Sequence, residues 1–178
     1  DQDVTITGAD APDLAISGNQ EVRVFRVLHG ATATIEHLTL RDGVGFLGGA
    51  VYNSGDLTLR HCLVTASTAV TGGSTIGGGV VNGSGGDGPA ILRLEDCTVT
   101  GNSSASEGGG VGNVTYGSHP AILEITGGEI SGNTANFGGG LAAYAQFQGV
   151  AITRLQGATI TGNTAAILGG GIHTDAIN

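Results

Sequence analysis

The sequence predicts an all-β fold: a right-handed, single-stranded parallel β-helix with three short strands in each rung of about 24–31 residues, and about six rungs. Three observations predict it. A glycine-rich phrase recurs at a nearly constant spacing, and the segment after each copy alternates apolar and polar residues. No segment longer than ten residues shows helical periodicity. Units that repeat in this way stack on one another and share one core.

The glycine-rich phrase supplies one strand of each rung. Its copies start 29, 31, 30 and 31 residues apart. The apolar residue that ends each phrase is expected to point into the coil, because a strand alternates its side chains between two faces. This inward column consists of Val51, Val80, Val111, Leu141 and Ile172.

The segment after each phrase supplies the other two strands, which are joined by a bend where the alternation slips by one position. Aligning the copies places Leu59, Leu94 and Ile125 in one inward column. Opposite charges then fall next to each other on the outside, as at Glu36 and Arg60. Like charges in neighbouring strands destabilise a sheet, so this arrangement supports the alignment and indicates a solvated exterior rather than a charged binding strip.

Composition limits the classes of partner. The chain has 178 residues, 35 of them glycine, and a net charge of −9 with only six lysines plus arginines. Nucleic acid and anionic membranes need a clustered basic surface, so neither is an expected partner. No apolar stretch approaches the ~18 residues that span a bilayer, so we expect no membrane insertion of this segment. The 39% hydrophobic content indicates a buried core.

Asparagines recur at two equivalent positions of the rungs. One set lies two residues after the inward residue of the glycine-rich phrase, and the other follows a glycine at a later corner. Stacked amides hydrogen-bond along such a column. Asparagine and glycine also tolerate the positive φ that corners often require. The predicted ladders consist of Asn53, Asn82 and Asn113, and of Asn102, Asn133 and Asn163.

Cys62 and Cys97 fall in one inward column on consecutive rungs. Their Cα atoms are expected about one strand spacing apart, ~4.8 Å. That separation is at the short end of the disulfide range, but in-register parallel strands hold the Cβ atoms farther apart than the bond prefers. We favour two buried thiols that pack as small hydrophobic groups, with a disulfide as the alternative.

The most regular phrases are Val4–Gly8, Val22–Val27, Ala33–Gly43, Gly132–Leu141 and Gly162–Ile172. They resemble bacterial extracellular β-helix repeat proteins of the pectate-lyase-like type. They are also similar to the Gly-Gly-Ala-Ile repeats of polymorphic outer-membrane proteins and autotransporter passengers. The resemblance implies a protein that is secreted or displayed on a bacterial cell surface.

The resemblance also implies an alternative, because polysaccharide lyases and pectin hydrolases share this fold. The lyases bind calcium through Asp and Glu and use a Lys or Arg as base, whereas the basic residues here are spread through the charge columns. The hydrolases need Asn-Thr-Asp, Asp-Asp, Gly-His-Gly and Arg-Ile-Lys, and none of these occurs. Glu95 and Asp96 lie at a bend where side chains diverge. We therefore predict no catalytic residue and no cofactor.

We predict no metal site. Gly85–Gly88, which contains Asp87, is similar to one unit of a calcium repeat that works only in tandem. His37 and His61 fall on neighbouring rungs, and two imidazoles without further ligands are more often a surface feature than a zinc site.

The connections after the glycine-rich strand lengthen in the later rungs and are expected to project from one edge. They carry a local concentration of aromatic and polar groups, which suits contact with carbohydrate or protein. The alternative is that these loops cover the coil and their aromatic rings are buried there. The candidate contact surface consists of Tyr116, His119, Tyr144, Gln146 and Phe147.

We expect residues 1–178 to form a single β-helix domain from a longer chain, with a structural or adhesive role outside the cytoplasm. The expected partners are carbohydrate or a surface protein, together with end-to-end self-association. The rival class is a fragment of a carbohydrate-active enzyme. A third class, an ice-binding protein, draws on Thr98 and Thr100, but Arg41, Leu63 and Glu129 interrupt the same columns.

Overall fold

The computed structural model describes residues 3–9, 13–70, 75–85 and 88–177, and these residues form 23 strands and no helix. The strands belong to six successive rungs. In chain order they are β1 (Asp3–Thr7), β2 (Ala15–Ser17) and β3 (Phe25–Val27); β4 (Thr32–Glu36), β5 (Thr39–Arg41), β6 (Val44–Gly45) and β7 (Val51–Asn53); β8 (Asp56–Arg60), β9 (Leu63–Thr65), β10 (Thr68–Ala69) and β11 (Val80–Ser84); β12 (Ala90–Glu95), β13 (Thr98–Thr100), β14 (Ser103–Ser104) and β15 (Val111–Thr115); β16 (Ala121–Thr126), β17 (Glu129–Ser131), β18 (Thr134–Phe137) and β19 (Leu141–Gln146); β20 (Ala151–Gln156), β21 (Thr159–Thr161), β22 (Thr164–Leu168) and β23 (Ile172–Ile177).

Equivalent strands of successive rungs pair in parallel and build four sheets, which confirms the predicted β-helix. Sheet A contains β1, β4, β8, β12, β16 and β20, and sheet B contains β2, β5, β9, β13, β17 and β21. Sheet C contains β3, β7, β11, β15, β19 and β23. These three correspond to the predicted strands of each rung. Sheet D adds a fourth, β6, β10, β14, β18 and β22, whose first three strands have only two residues and show no alternation in sequence.

The length of a rung varies more than the sequence predicts. The step between paired residues of sheet A is 24 residues from Glu36 to Arg60 and 35 residues from Arg60 to Glu95. The longer step exceeds the predicted range because the connection from β10 to β11 has ten residues, whereas the equivalent connection from β14 to β15 in the next rung has six. Sheet register is preserved on both sides, so the extra length is confined to the connections.

The core runs along the axis of the coil and is built from the predicted columns. Leu59, Leu94 and Ile125 pair in register and are 0%, 1% and 4% exposed. Burying each of these side chains contributes roughly 1.5–3 kcal/mol. The outer charge column is also present, because Arg60 contacts Glu36 on one neighbouring rung at 3.4 Å and Glu95 on the other at 2.7 Å.

The corners depend on residues with positive φ. The first glycine of the phrase has φ of +60° to +70° on every copy, and at Gly48 a Cβ would collide with the carbonyl of Val51. At the corner before the second ladder, the glycine that precedes each asparagine adopts the positive φ. Of the two residue types expected to tolerate this conformation, asparagine and glycine, it is glycine that adopts it here. Ala66 occupies that corner in the third rung with φ +50°.

Both asparagine columns form continuous hydrogen-bonded ladders. In the first, Nδ2 of Asn53 donates to Oδ1 of Asn82 at 2.8 Å, and Nδ2 of Asn82 donates to Oδ1 of Asn113 at 2.9 Å. All three side chains are fully buried. The second ladder has links of 3.0 Å and consists of Asn102, Asn133 and Asn163. The ladders connect the rungs along the axis and leave the outward side chains of the sheets free for other roles.

Candidate functional site

The outer face of sheet C, with the segment that folds over it, carries all three tyrosines of the chain. Tyr52 pairs in register with Val81, and Tyr144 pairs with Val114, so these four side chains share the outward face. Tyr116 directly follows β15 and continues the same alternation. We call this surface the tyrosine face.

A small hydrophobic cluster outside the coil supports the rings. Ile76, Val81 and Val114 are at most 1% exposed, and the three tyrosines and Leu47 pack against them. Glycines of sheet C provide the room: a Cβ at Gly112 would collide with Ile76. The tyrosine rings are therefore held half-buried, with their positions fixed by packing.

Glu107 replaces an apolar residue within this face. Its backbone forms isolated parallel β-bridges with Ile76 on one side and Phe137 on the other, and Ile76 forms a further bridge with Leu47. The other three residues of this column are therefore apolar. Its Oε2 atom is buried and has no hydrogen-bond partner in the described part of the chain. Burial raises the pKa of Glu107, while His173 nearby lowers it and Asp175 raises it further. An unpartnered carboxylate at an apolar position is a feature that packing alone does not favour.

The hydroxyl of Tyr116 lies in the same electrostatic environment. Burial raises the pKa of Tyr116 to about 12, with further contributions from Glu107, Tyr52 and Tyr144. The phenol therefore stays protonated at neutral pH and is available as a hydrogen-bond donor. The three phenols and one carboxylate form a group of polar atoms within an aromatic surface.

A strained turn extends the face at its edge. Nε2 of Gln146 donates to the hydroxyl of Tyr144 at 2.9 Å, and the chain then turns back with the amide of Gly149 bonded to the carbonyl of Gln146. The two central residues, Phe147 and Gln148, have φ of +52° and +64°. Phe147 is 69% exposed. A bulky residue in this conformation is unfavourable, and such strain concentrates at functional positions.

The structure brings three of the predicted contact residues together and separates the other two. Tyr116, Tyr144 and Gln146 belong to the tyrosine face. The expectation that Tyr144 and Gln146 project on a loop is wrong, because β19 extends through Gln146. Tyr116 does lie in the connection after β15, but its ring packs against the cluster, as the alternative expected. Phe147 does project. His119 lies in the connection from β15 to β16, where its carbonyl accepts hydrogen bonds from Ser84 and Thr115, and its Nδ1 is buried without a partner among the described residues.

The opposite end of the tyrosine face contains a groove that the sequence analysis did not identify. Its volume is about 250 Å³, and it is lined by Arg23, Arg26, Phe46, Leu47 and Tyr52. The guanidinium groups of the two arginines lie 5.4 Å and 5.7 Å from the centre of the Tyr52 ring. The interpretation that all basic residues belong to the charge columns is wrong for these two and for Arg41, which lies on sheet B and pairs with its neighbour Asp42. The sequence did contain a signal for Arg23 and Arg26, because neither aligns with a carboxylate on a neighbouring rung of the repeat.

The remaining candidates do not form a second site. Cys62 and Cys97 are free thiols at 2% and 4% exposure. Sγ of Cys62 donates to the carbonyl of Ile35 at 3.4 Å and Sγ of Cys97 to that of Leu59 at 3.3 Å, and the neighbouring Cys62 thiol together with burial raises the pKa of Cys97. The rings of His37 and His61 stack with centroids 4.9 Å apart. Over residues 3–9, 13–70, 75–85 and 88–177 no group of three or more potential metal ligands occurs, and Asp87 lies outside these ranges.

The same described residues contain no helix that could cross a membrane. No protein-family model, curated protein or solved structure matches this chain.

Proposed function

We propose that this chain is a secreted or cell-surface β-helix module with a structural or adhesive role, and that it recognises carbohydrate through the tyrosine face. The observation that supports this most directly is the placement of all three tyrosines on one outward face, with the buried, unpartnered Oε2 atom of Glu107 close enough to Tyr116 to raise its pKa. The resemblance of the repeat phrases to bacterial surface and secreted β-helices supports the proposed location.

The chemistry of the face suits sugars. A sugar presents C–H groups on the faces of its ring and hydroxyls around the rim, and tyrosine offers a flat apolar ring with a polar tip. The amide of Gln146 and the carboxylate of Glu107 add further hydrogen-bonding groups. Tyr52 and Tyr144 lie three rungs apart, which is roughly 14 Å along the axis at one strand spacing per rung, and they are offset by two residues along the strand. That span fits an extended oligosaccharide lying along the axis of the coil.

The rigidity of the site also favours binding. The rings are packed against Ile76, Val81 and Val114, so little side-chain entropy is lost when a ligand settles on them. A surface of mobile side chains would lose about 0.5–1.5 kcal/mol for each one that is immobilised.

A glycan array followed by calorimetry tests the proposal. Tyr144→Ala and Phe147→Ala remove aromatic rings from the face and its edge, and each should weaken glycan binding about two- to tenfold. Ile152→Ala is the control, because it truncates a half-buried outward side chain on sheet A. Urea unfolding of each variant separates lost affinity from lost folding.

The outcomes discriminate the rival functions. Binding without product release, sensitive to the two aromatic variants and not to the control, supports recognition. Release of unsaturated or reducing sugar from polysaccharides would instead favour the enzyme class. If no glycan binds and a surface protein does, the tyrosine face recognises protein and our proposal fails.

We also propose end-to-end self-association of the chain. Its sixth rung exposes apolar side chains, among them Leu155 at 43%, Ile167 at 59% and Ile172 at 42%. Stacking a second copy of this segment there would cover these side chains and extend the parallel sheets. Light scattering should show a mass that rises with concentration, and a constant monomer mass over the same range would refute it.

A further inference from the structure

Two of the six arginines differ from the rest in their surroundings. Four form ion pairs on the outside of the coil: Arg41 with Asp42, Arg60 with Glu36 and Glu95, Arg93 with Asp56 and Glu124, and Arg154 with Glu124. Arg23 and Arg26 have no carboxylate within salt-bridge distance in the described part of the chain. In a protein of net charge −9, two adjacent cations without a counter-charge are an exception.

The two guanidinium groups lie against the same aromatic ring, that of Tyr52. Nε of Arg23 donates to the carbonyl of Gly48 at 2.8 Å, which fixes this half-buried side chain. Arg26 is exposed and lies over the same Tyr52 ring. Burial and the charge of Arg26 lower the pKa of Arg23. The ring offsets part of this repulsion through its cation–π contacts with both guanidinium groups.

We propose that the groove lined by Arg23, Arg26 and Tyr52 binds an anionic substituent, a sulfate ester or a carboxylate, of the glycan that the tyrosine face recognises. This inference rests on the proposed function. Guanidinium groups present planar pairs of donors that match the oxygens of sulfate and carboxylate. The groove, at about 250 Å³, is smaller than a typical ligand pocket, so it accommodates one charged substituent rather than an oligosaccharide.

The position of the groove supports the link to the tyrosine face. Tyr52 belongs to both, and its ring extends towards Gly83 on the next rung, where a Cβ would lie 3.2 Å from the ring edge. A glycan that lies along the coil on Tyr144 and Tyr52 therefore reaches the two arginines at one end. The acidic remainder of the molecule repels anions, so the groove also fixes the direction in which such a chain binds.

Calorimetric titration of the whole chain with three glycans of equal length tests this: a sulfated one, a uronate and a neutral one. Arg26→Gln should weaken binding of the anionic glycan about tenfold, the equivalent of losing one charge-assisted hydrogen bond, and should leave the neutral glycan unchanged. Arg154→Gln is the matched control, because it removes the same charge from an exposed site on sheet A. Arg23 is left intact because it holds Gly48.

The sulfated and uronate glycans distinguish the two sources of the anion, and whichever loses affinity in Arg26→Gln names it. Equal wild-type affinity for neutral and anionic glycans, or equal losses in Arg26→Gln and Arg154→Gln, overturns the anion site and leaves carbohydrate recognition standing. Failure of the wild type to bind any of the three overturns both.

Discussion

Replacing Asn82 with alanine tests whether the ladder, rather than the apolar core alone, holds the rungs together. Asn82 lies in the middle of the first ladder and is fully buried. Its Nδ2 donates to the carbonyls of Ala90 at 3.2 Å and Ile122 at 3.0 Å and to Oδ1 of Asn113 at 2.9 Å. Its Oδ1 accepts from Asn53 at 2.8 Å. The substitution removes all four hydrogen bonds and so weakens the connection between three successive rungs.

The cost follows from which groups lose their partners. The side-chain oxygen of Asn113 is left buried without a donor, which costs about 1–3 kcal/mol. The other three hydrogen bonds contribute about 0.5–1 kcal/mol each, which is the lower part of the usual range. The loss at Asn53 is small because its Nδ2 keeps its hydrogen bonds to the carbonyls of Gly55 and Ile91. The free energy of unfolding should therefore fall by about 3–5 kcal/mol.

Asn136→Ala is the control for the same chemical change at the surface. Asn136 is exposed and donates one hydrogen bond, to the carbonyl of Ala105 at 2.7 Å, so its loss should cost under about 1 kcal/mol. Urea unfolding followed by circular dichroism measures both variants. Because a repeat protein can unfold in parts, the slope with urea is compared as well as the midpoint. Equal losses in the two variants, with equal slopes, would refute the structural role of the ladder.

Three further predictions concern a corner, the tyrosine face and the core. Ala66→Gly should raise the free energy of unfolding by about 1 kcal/mol, since glycine adopts its φ of +50° without strain; a drop in the melting temperature would contradict this. Burial raises the folded-state pKa of Glu107, so the folded protein holds the proton more tightly than the unfolded chain does. The resulting stabilisation is fully present at pH values below the unfolded-state pKa. It is lost as the pH rises through the folded-state pKa. The free energy of unfolding of Glu107→Leu should therefore increase relative to that of the wild type as the pH rises from about 4 to neutral. A constant difference between the two over this range would contradict the prediction. Cys62 and Cys97 should resist a thiol reagent in the folded protein and both react in denaturant; a denatured protein without reactive thiols would show a disulfide instead.

Much of the fold could be predicted because every rung repeats the same alternation of inward and outward residues at equivalent positions. Period-two alternation and a constant phrase placed Leu59, Leu94 and Ile125 in one column without any knowledge of the structure. Charge pairing gave an independent check through Arg60 and its two neighbours. Sheet D was missed because a two-residue strand such as Thr68–Ala69 has no period to detect, and its pairing depends on where the adjacent corners place it.

The candidate site was harder to predict because it depends on contacts that do not repeat. The outward position of Tyr52 could be inferred from its neighbour Val51, which points inward. The meeting of Tyr116 with Glu107 could not, since the segment that contains Glu107 folds over sheet C and is joined to its neighbours by isolated bridges rather than strands. The turn at Phe147 likewise depends on positive φ values that no glycine or asparagine signals.

The structure explains why the tyrosine face, on which we propose that a ligand binds, lies on sheet C and not on sheet A. On sheet A the outward positions are filled by alternating charges such as Arg93 and Glu124, which satisfy one another and have little left for a ligand. On sheet C the equivalent positions include small residues such as Gly112. The segment that leads into each glycine-rich phrase can therefore fold over the strands, and it buries Ile76 outside the coil. That second layer gives tyrosine rings a surface to pack on, and it places a carboxylate where water cannot fully solvate it. The glycine-rich phrase that identifies the fold therefore also creates the surface on which we expect a ligand to bind.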